Sequence, residues 1–469
     1  MRYFACRRAA LFVLGAAVVS FAVSRNVSAS TVAVVPPNTT SCKPSVASYP
    51  TISQAVSSVP KGSTIYICPG TYAEQVVITK SLTLTGVAAN GTTGTAASGS
   101  NNPVIVSPAG GVAVNTSDLS GYPNGEPTAA QILVQTPSNA LATPIVVNIN
   151  NIAVDGSNNG LSGCGTDLVG IYYQNSNGTV NHVTARYQEL DPADFGCQDG
   201  LAIYAQSGYG SGGTATVTIE DSMVHDYDKN GITADGSGTV ATITTNYTVG
   251  IGATPLIGQN GIQMSFGARG KITSNTVTDD VYVNPSDCYT TTPNSCYSAT
   301  GILLYDSGGA SGYPVSITDN TVSNTQGGIV AVTDGNETAD YNTVSSNKVT
   351  ATPAIVVTGY TYLLDGIDLC SDNNTANSNS VFYSAGAGVH LDSSCTEPGG
   401  AASGVNSSAA SNTVNEACAG VLLGNSGTAT LTSSFNVVET TASTDTCPVG
   451  NGGPSVKAAA KLKTQPKRH

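Results

Sequence analysis

Gly231-Ile232-Thr233-Ala234-Asp235 is one of nine copies of a short signal that recurs along this 469-residue chain. In each copy a glycine is followed by an apolar residue, a variable one, and a residue that is usually apolar again. The others are GIYY at Gly170, GLAI at Gly200, GIQM at Gly261, GILL at Gly301, GIVA at Gly328, GIDL at Gly366, GVHL at Gly388 and GVLL at Gly420. Spacings of 22 to 40 residues mark a repeat architecture, in which no single unit can bury its own apolar face. Within each copy the alternation is that of a strand. The reading is therefore a stack of strands with one rung per copy, all-β and elongated.

Composition agrees. Only 10% of residues are charged, tryptophan is absent and glycine numbers 52, which suits many short strands joined by tight turns. Residues 1–29 read as a secretory signal. Arg2, Arg7 and Arg8 precede the apolar run Ala9–Val23, and Val27-Ser28-Ala29 offers small residues for cleavage. That run is short for a membrane anchor, so the exported protein is expected to leave the membrane. Residues 30–49 read as a flexible lead-in, 50–455 as the strand stack, and 456–469 as a basic, disordered tail.

Removal of the signal takes Cys6 and leaves ten cysteines. No C-x-x-C pair exists, which argues against zinc fingers or thioredoxin-like chemistry. Proximity suggests five disulfides in an oxidising compartment: Cys42 with Cys68, Cys164 with Cys197, Cys288 with Cys296, Cys370 with Cys395, and Cys418 with Cys447. The signal and tail hold nine of the 17 basic residues, so the body carries 8 Lys and Arg against 30 Asp and Glu. Such a surface repels nucleic acid. It repels a polyanionic glycan as well unless a cation intervenes, for which calcium is the candidate.

Thr51–Val59 spaces Ile52, Ala55, Val56 and Val59 as a helical face; such a helix would cover the open end of the stack. Thr64–Gly86 follows as TIYICPGTYAEQVVITKSLTLTG. The order of apolar helix, strand, CPGTYAEQVVI, strand and LTLTG resembles the first coil of right-handed parallel β-helix proteins of the pectin-lyase-like superfamily. The later NGI and SNTV repeats extend the likeness over most of residues 50–440. The resemblance implies the fold, and a class rich in polysaccharide lyases, hydrolases and esterases. It does not carry over a reaction. Gly70-x-Tyr72-x-Glu74 matches the GxYxE of pectin methylesterases, but their other motifs are missing and Asp194-Phe195-Gly196 is only a fragment. Asp279-Asp280 after Asn275-Thr276 echoes polygalacturonases, with neither GHG nor RIK.

A second repeat places Asn275, Asn320, Asn347, Asn379 and Asn412 at equivalent points. The superfamily resemblance implies an internal asparagine ladder there. Three coils carry insertions at the same corner, Arg186–Gln198, Val281–Ala299 and Ala351–Leu364. These are rich in aromatic and acidic residues, including Tyr187, Tyr289 and Tyr360, and loops on a rigid scaffold commonly carry function.

Period-two alternation turns the second and fourth residues after each glycine outward. This groups Tyr204, Asp235, Gln263 and Tyr305 as a sugar-binding platform, with tyrosine rings stacking on sugar faces. It also groups Asp368, His390 and Asp392, whose carboxylates should lie roughly 8 Å apart across one rung. That spacing falls in the range of about 6.5–9.5 Å for inverting glycosidases. Asp368, His390, Asp392 and Asp235 are thus the candidate catalytic residues; Tyr204, Gln263, Tyr305, Tyr187, Tyr289 and Tyr360 are the candidate binding residues. Asp199, Asn230, Asn260 and Asp365, each just before its glycine, read as turn residues. The expected protein is a secreted monomer that binds a polysaccharide or cell-surface glycan, which these carboxylates are placed to cleave. The alternative is a non-catalytic adhesin or rigid spacer.

Overall fold

The computed structural model describes residues 28–37, 39–88, 102–119, 125–208, 212–282, 299–308, 314–334, 338–350, 356–357, 360–361, 365–384, 386–417, 419–423 and 437–441. Nearly all its strands fall into three long parallel sheets, of thirteen, twelve and eleven parallel strands, the last with Thr116–Ser117 added antiparallel. The chain visits them in rotation. Ala215–Glu220 lies in the first sheet, Met223–Tyr227 in the second and Asn230–Asp235 in the third; Thr239–Thr244 then returns to the first beside Ala215–Glu220. The protein is a right-handed parallel β-helix, the hand that parallel crossovers adopt.

The repeated glycine signal forms the third sheet. Ile171, Ile203, Ile232, Ile262, Ile302, Ile329, Ile367 and Val389 pair in one file, all fully buried inside the coil. Slipping a strand by one residue would turn such a side chain to the other face, so the file fixes the register. One copy departs from the sequence reading. At Gly200 it is Ile203, not Leu201, that joins the file, because Ile171 pairs with Ile203. Ala202 takes the glycine's place and Tyr204 pairs with Tyr172. The stretch GLAI holds two apolar residues able to fill the interior, and the branched one is chosen.

Most of these positions leave no room for a side chain, although Ala202 fills one of them. A Cβ on Gly366 would lie 2.3 Å from Val381 Cγ1 and 2.8 Å from Gly388 O. Glycine and the isoleucine after it thus both face inward, and the alternation restarts there. The residue before the glycine is turned out beside the second residue after it.

The turn from first to second sheet is built by asparagines, as the resemblance implied, and the ladder begins one coil earlier than expected. In the run Asn246, Asn275, Asn320, Asn347, Asn379 and Asn412, the first five donate Nδ2 to the Oδ1 of the next at 2.9–3.0 Å. Each also donates to a carbonyl of the preceding coil. The left-handed residue is the one before the ladder position, such as Ser274, Asp319 and Ser346 at φ 57–58°, rather than the asparagine itself.

The helix Ile52–Ser58 forms on the expected face, with Ile52, Ala55 and Val56 buried. Thr51 Oγ1 accepts from Gln54 N, and the Glu74 carboxylate accepts from Ile52 N and Ser53 N at 2.8 and 2.9 Å, capping the first turn. Tyr72 Oη donates to Cys68 O at 2.7 Å. The GxYxE likeness is therefore explained here by helix capping and packing. The stretch 30–49, read as flexible, contributes the strands Thr31–Val34 and Ala47–Tyr49 to the first sheet. Val32 and Val34 turn into the core, and the Cys42–Cys68 disulfide ties the stretch down. Cys164–Cys197 and Cys370–Cys395 also form as paired from the sequence; Cys288, Cys296, Cys418 and Cys447 lie outside the described residues. The three bridges fit an oxidising compartment. Among the described residues no helix is long and apolar enough to cross a membrane.

Asp280, half of the polygalacturonase-like fragment, lies inside the coil and accepts from Tyr227 Oη at 2.6 Å. Burial, partly offset by that hydrogen bond, pushes its carboxyl well above the usual range. Such a group keeps its proton to higher pH in the fold than in the unfolded chain. Its stabilisation is complete below about pH 4 and is lost as pH rises toward its folded value. Asp280→Asn keeps a neutral acceptor for Tyr227 and removes this loss. The variant is expected to gain on the parent by up to about 1.4 kcal/mol per pH unit above pH 4. Urea midpoints at pH 4, 6 and 8 measure it; parallel curves for the two proteins would refute the assignment.

Candidate functional site

The three insertions leave between the second and third sheets, as the repeat predicts. They follow Thr184–Gln188, Thr276–Tyr282 and Lys348–Thr350 and precede the third-sheet strands Leu201–Gln206, Thr300–Tyr305 and Ile367–Cys370. Residues 283–298 and most of 351–364 lie outside the described residues. The first insertion is joined to the preceding coil by Cys164–Cys197 and by Gly163 N, which donates to Asp194 Oδ2 at 2.8 Å.

The outer face of the third sheet is closed over. Tyr204, Asp235, Gln263 and Tyr305 are each 6% exposed or less, and the expected platform divides into three networks. Tyr204 stacks flat on Tyr172, rings 4.8 Å apart, and donates to Asp235 Oδ2 at 2.8 Å. Gln206 Nε2 reaches the same oxygen at 3.3 Å, and its Oε1 accepts from Tyr172 Oη. Across this group runs residues 113–119: Leu119 N donates to Gln206 Oε1 and Ser117 O accepts from Gln174 Nε2. Gln263 belongs to a second network, accepting from Asn230 and Asn260 and donating to Ser265 Oγ. Tyr305 belongs to a third. It donates to Asp334 Oδ2 at 2.9 Å and packs edge-on against Phe266, beside Cys370 and Cys395.

Tyr187 stands apart, half-exposed at the end of a second-sheet strand with φ 56° and edge-on to His225. Tyr289 and the Tyr360 side chain lie outside what is described. His225, in VHDYDKNG, reads as a turn residue from the sequence but lies in the second-sheet strand Met223–Tyr227, beside Arg186 and 2.6 Å from Asp226.

The second group does come together, with one more member. Asp368 pairs with His390 on the next rung, as the repeat period requires. His390 Nδ1 lies 3.2 Å from Asp365 Oδ2 and 3.9 Å from Asp368 Oδ1, and Nε2 lies 3.9 Å from Asp392 Oδ1. The imidazole thus stands between carboxylates on both sides. Asp365, read as a turn residue, is turned into the group by the restart of alternation at Gly366; Asn230 and Asn260 are turned out by the same rule. Asp392 is held by Ser394 N and Ser394 Oγ, both at 2.8 Å. Asp365 Oδ1 accepts from Ala387 N at 2.6 Å. All four residues are at most 4% exposed.

Burial and then the neighbouring Asp392 carboxylate push Asp368 well above the usual carboxylate range, against the pull of His390. Burial alone would lower His390. The hydrogen bond to Asp365 and the surrounding carboxylates outweigh it and hold the imidazole up at about 9. Asp365, Asp368 and His390 have the donor set and spacing to hold a metal ion, as do Glu126, Asp167 and Asp199 at the starts of three third-sheet strands.

Neither a known family profile nor a curated protein matches the sequence. Among solved structures, the A-module of a mannuronan C-5 epimerase from Azotobacter vinelandii aligns at 14% identity with a TM-score of 0.43, over 84% of this chain and 94% of that one. A DFA-IIIase from Arthrobacter chlorophenolicus A6 aligns at 15% identity and 0.42, over 82% and 87%. A GH136 lacto-N-biosidase from Eubacterium ramulus aligns at 10% and 0.48, over 87% and 67%. These likenesses are weak, and the parallel β-helix of this chain rests on its own three sheets.

Proposed function

We propose that this is an exported protein that binds and cleaves polysaccharide on the outer face of its third sheet, with Asp368, His390 and Asp392 as the reacting group. The observation that carries the reading is the burial of three carboxylates and an imidazole on adjacent rungs, beside the corner from which the long insertions leave. Ionisable groups so placed are costly, and such clusters concentrate at functional sites. Carboxylates flanking one imidazole supply the proton donor and acceptor that glycoside hydrolysis needs. They equally supply the base that removes the proton beside a uronate in a lyase.

A second reading, a rigid non-catalytic spacer or adhesin, draws support from the closed face, since no tyrosine of the third sheet is presented to solvent. One experiment separates them. The purified protein is incubated with a panel of neutral and acidic polysaccharides, with and without calcium. Reducing ends are assayed together with the absorbance of unsaturated uronates. Release of either product supports the enzyme; the absorbance identifies a lyase. Silence across the panel in both assays favours the spacer.

A further inference from the structure

Asp365, Asp368 and His390 meet where water cannot satisfy them. Their donor atoms lie within 4.8 Å of one another, with His390 Nδ1 at 3.2 Å from Asp365 Oδ2 and 3.9 Å from Asp368 Oδ1. Around a tetrahedral ion with bonds of about 2.0–2.2 Å, ligand atoms are roughly 3.3–3.5 Å apart, so small shifts close this triangle on a cation. A proton on Nδ1 accounts for the contact with Asp365 but not for Asp368. Asp368 Oδ1, the atom turned toward Nδ1, is fully enclosed and has no hydrogen-bond partner. An enclosed carboxylate oxygen of this kind normally has a donor or a cation against it.

We propose that Asp365, Asp368 and His390 form a divalent transition-metal site, with Nδ1 and one oxygen of each carboxylate as ligands. Nitrogen with carboxylate oxygen suits zinc or manganese, whereas calcium takes six to eight oxygens. Nε2–H then faces Asp392 Oδ1, 3.9 Å away, the arrangement of a metal-bound imidazole backed by a carboxylate. Ala387 N orients Asp365 from behind. The site coincides with that of the proposed polysaccharide chemistry, but its existence does not depend on turnover. With the ion in place Asp368 is a ligand, and Asp392 is left as the group that moves a proton.

The test uses the full chain stripped with a chelator and titrated separately with Zn²⁺ and Mn²⁺. Calorimetry is combined with metal analysis after gel filtration. One ion per chain and a raised melting temperature are expected for the parent. Asp368→Asn and Asp365→Asn are each expected to weaken binding at least about 100-fold, and Asp392→Asn by about 10-fold with one ion retained. Failure of the parent to retain either ion, or equal retention by Asp368→Asn, overturns the site. If the group is instead an imidazolium held by carboxylates, Asp368→Asn is more stable than the parent and neither protein binds metal. Because the ion is counted without substrate, a silent polysaccharide panel leaves this result standing, and a failed titration leaves the panel's result standing.

Discussion

Asn320→Ala is expected to cost about 3–5 kcal/mol of stability, among the largest losses a single side chain here can produce. Asn320 sits in the middle of the ladder. Its Nδ2 donates to Ile272 O and Asn347 Oδ1, both at 2.9 Å, and its Oδ1 accepts from Asn275 N at 2.9 Å and Asn275 Nδ2 at 3.0 Å. Alanine leaves the Asn275 amide and part of the Asn347 and Ile272 oxygens buried without partners, and each such group costs about 1–3 kcal/mol. The cost should be local as well as large, since each coil touches only its neighbours. Amides of the coils around Asn275 and Asn347 are expected to lose hydrogen-exchange protection before those near Ile171. Thr321→Ala, one residue along but exposed, should stay within about 0.5 kcal/mol. A fall of under about 1 kcal/mol in the urea-derived stability of Asn320→Ala would mean that the asparagines fill space rather than tie the coils together.

The parts of the fold legible in the sequence are those where one physical requirement repeats. A branched side chain must enter the coil once per turn, which makes the file from Ile171 to Val389 visible. An asparagine must bridge neighbouring coils, which makes Asn275 to Asn412 visible. The same logic failed at Gly200, where Leu201 and Ile203 both satisfy the requirement and only packing decides. It failed at Asp365 because simple alternation assumes that every residue steps to the other face. Gly366 and Ile367 both turn inward, and no residue count shows that. The pairing of Asp368 with His390 follows from the period, but their burial does not. The outer face is closed by stretches with no period of their own, such as residues 113–119 over Tyr172 and Tyr204. Pattern reading treats those as loops, so Tyr204, stacked on Tyr172 and enclosed, reads from the sequence as part of an open platform.

Asp392→Asn and Asp368→Asn are each expected to reduce polysaccharide cleavage by at least about 100-fold with the fold intact, the scale at which a positioned proton-transfer group contributes. The two losses should differ in kind. Asp392 stands on the Nε2 side of His390, fixed by Ser394, so its loss removes a proton-transfer group and should lower kcat with KM nearly unchanged. Asp368 stands on the Nδ1 side with Asp365, so its loss should also abolish retention of a bound divalent ion. Asp235 provides the contrast. Counting rungs through Thr233, Gln263, Leu303, Val330 and Asp368 separates the two groups by four steps, about 19 Å at the usual strand spacing. One scissile bond cannot touch both. Asp235→Asn, which weakens the enclosed hydrogen bonds to Tyr204 and Gln206, is therefore expected to lower stability while kcat and KM stay within about threefold of the parent. The reverse pattern, with kcat lost at Asp235 and retained at Asp368 and Asp392, would move the chemistry to the tyrosine-lined group and leave the Asp–His cluster as architecture.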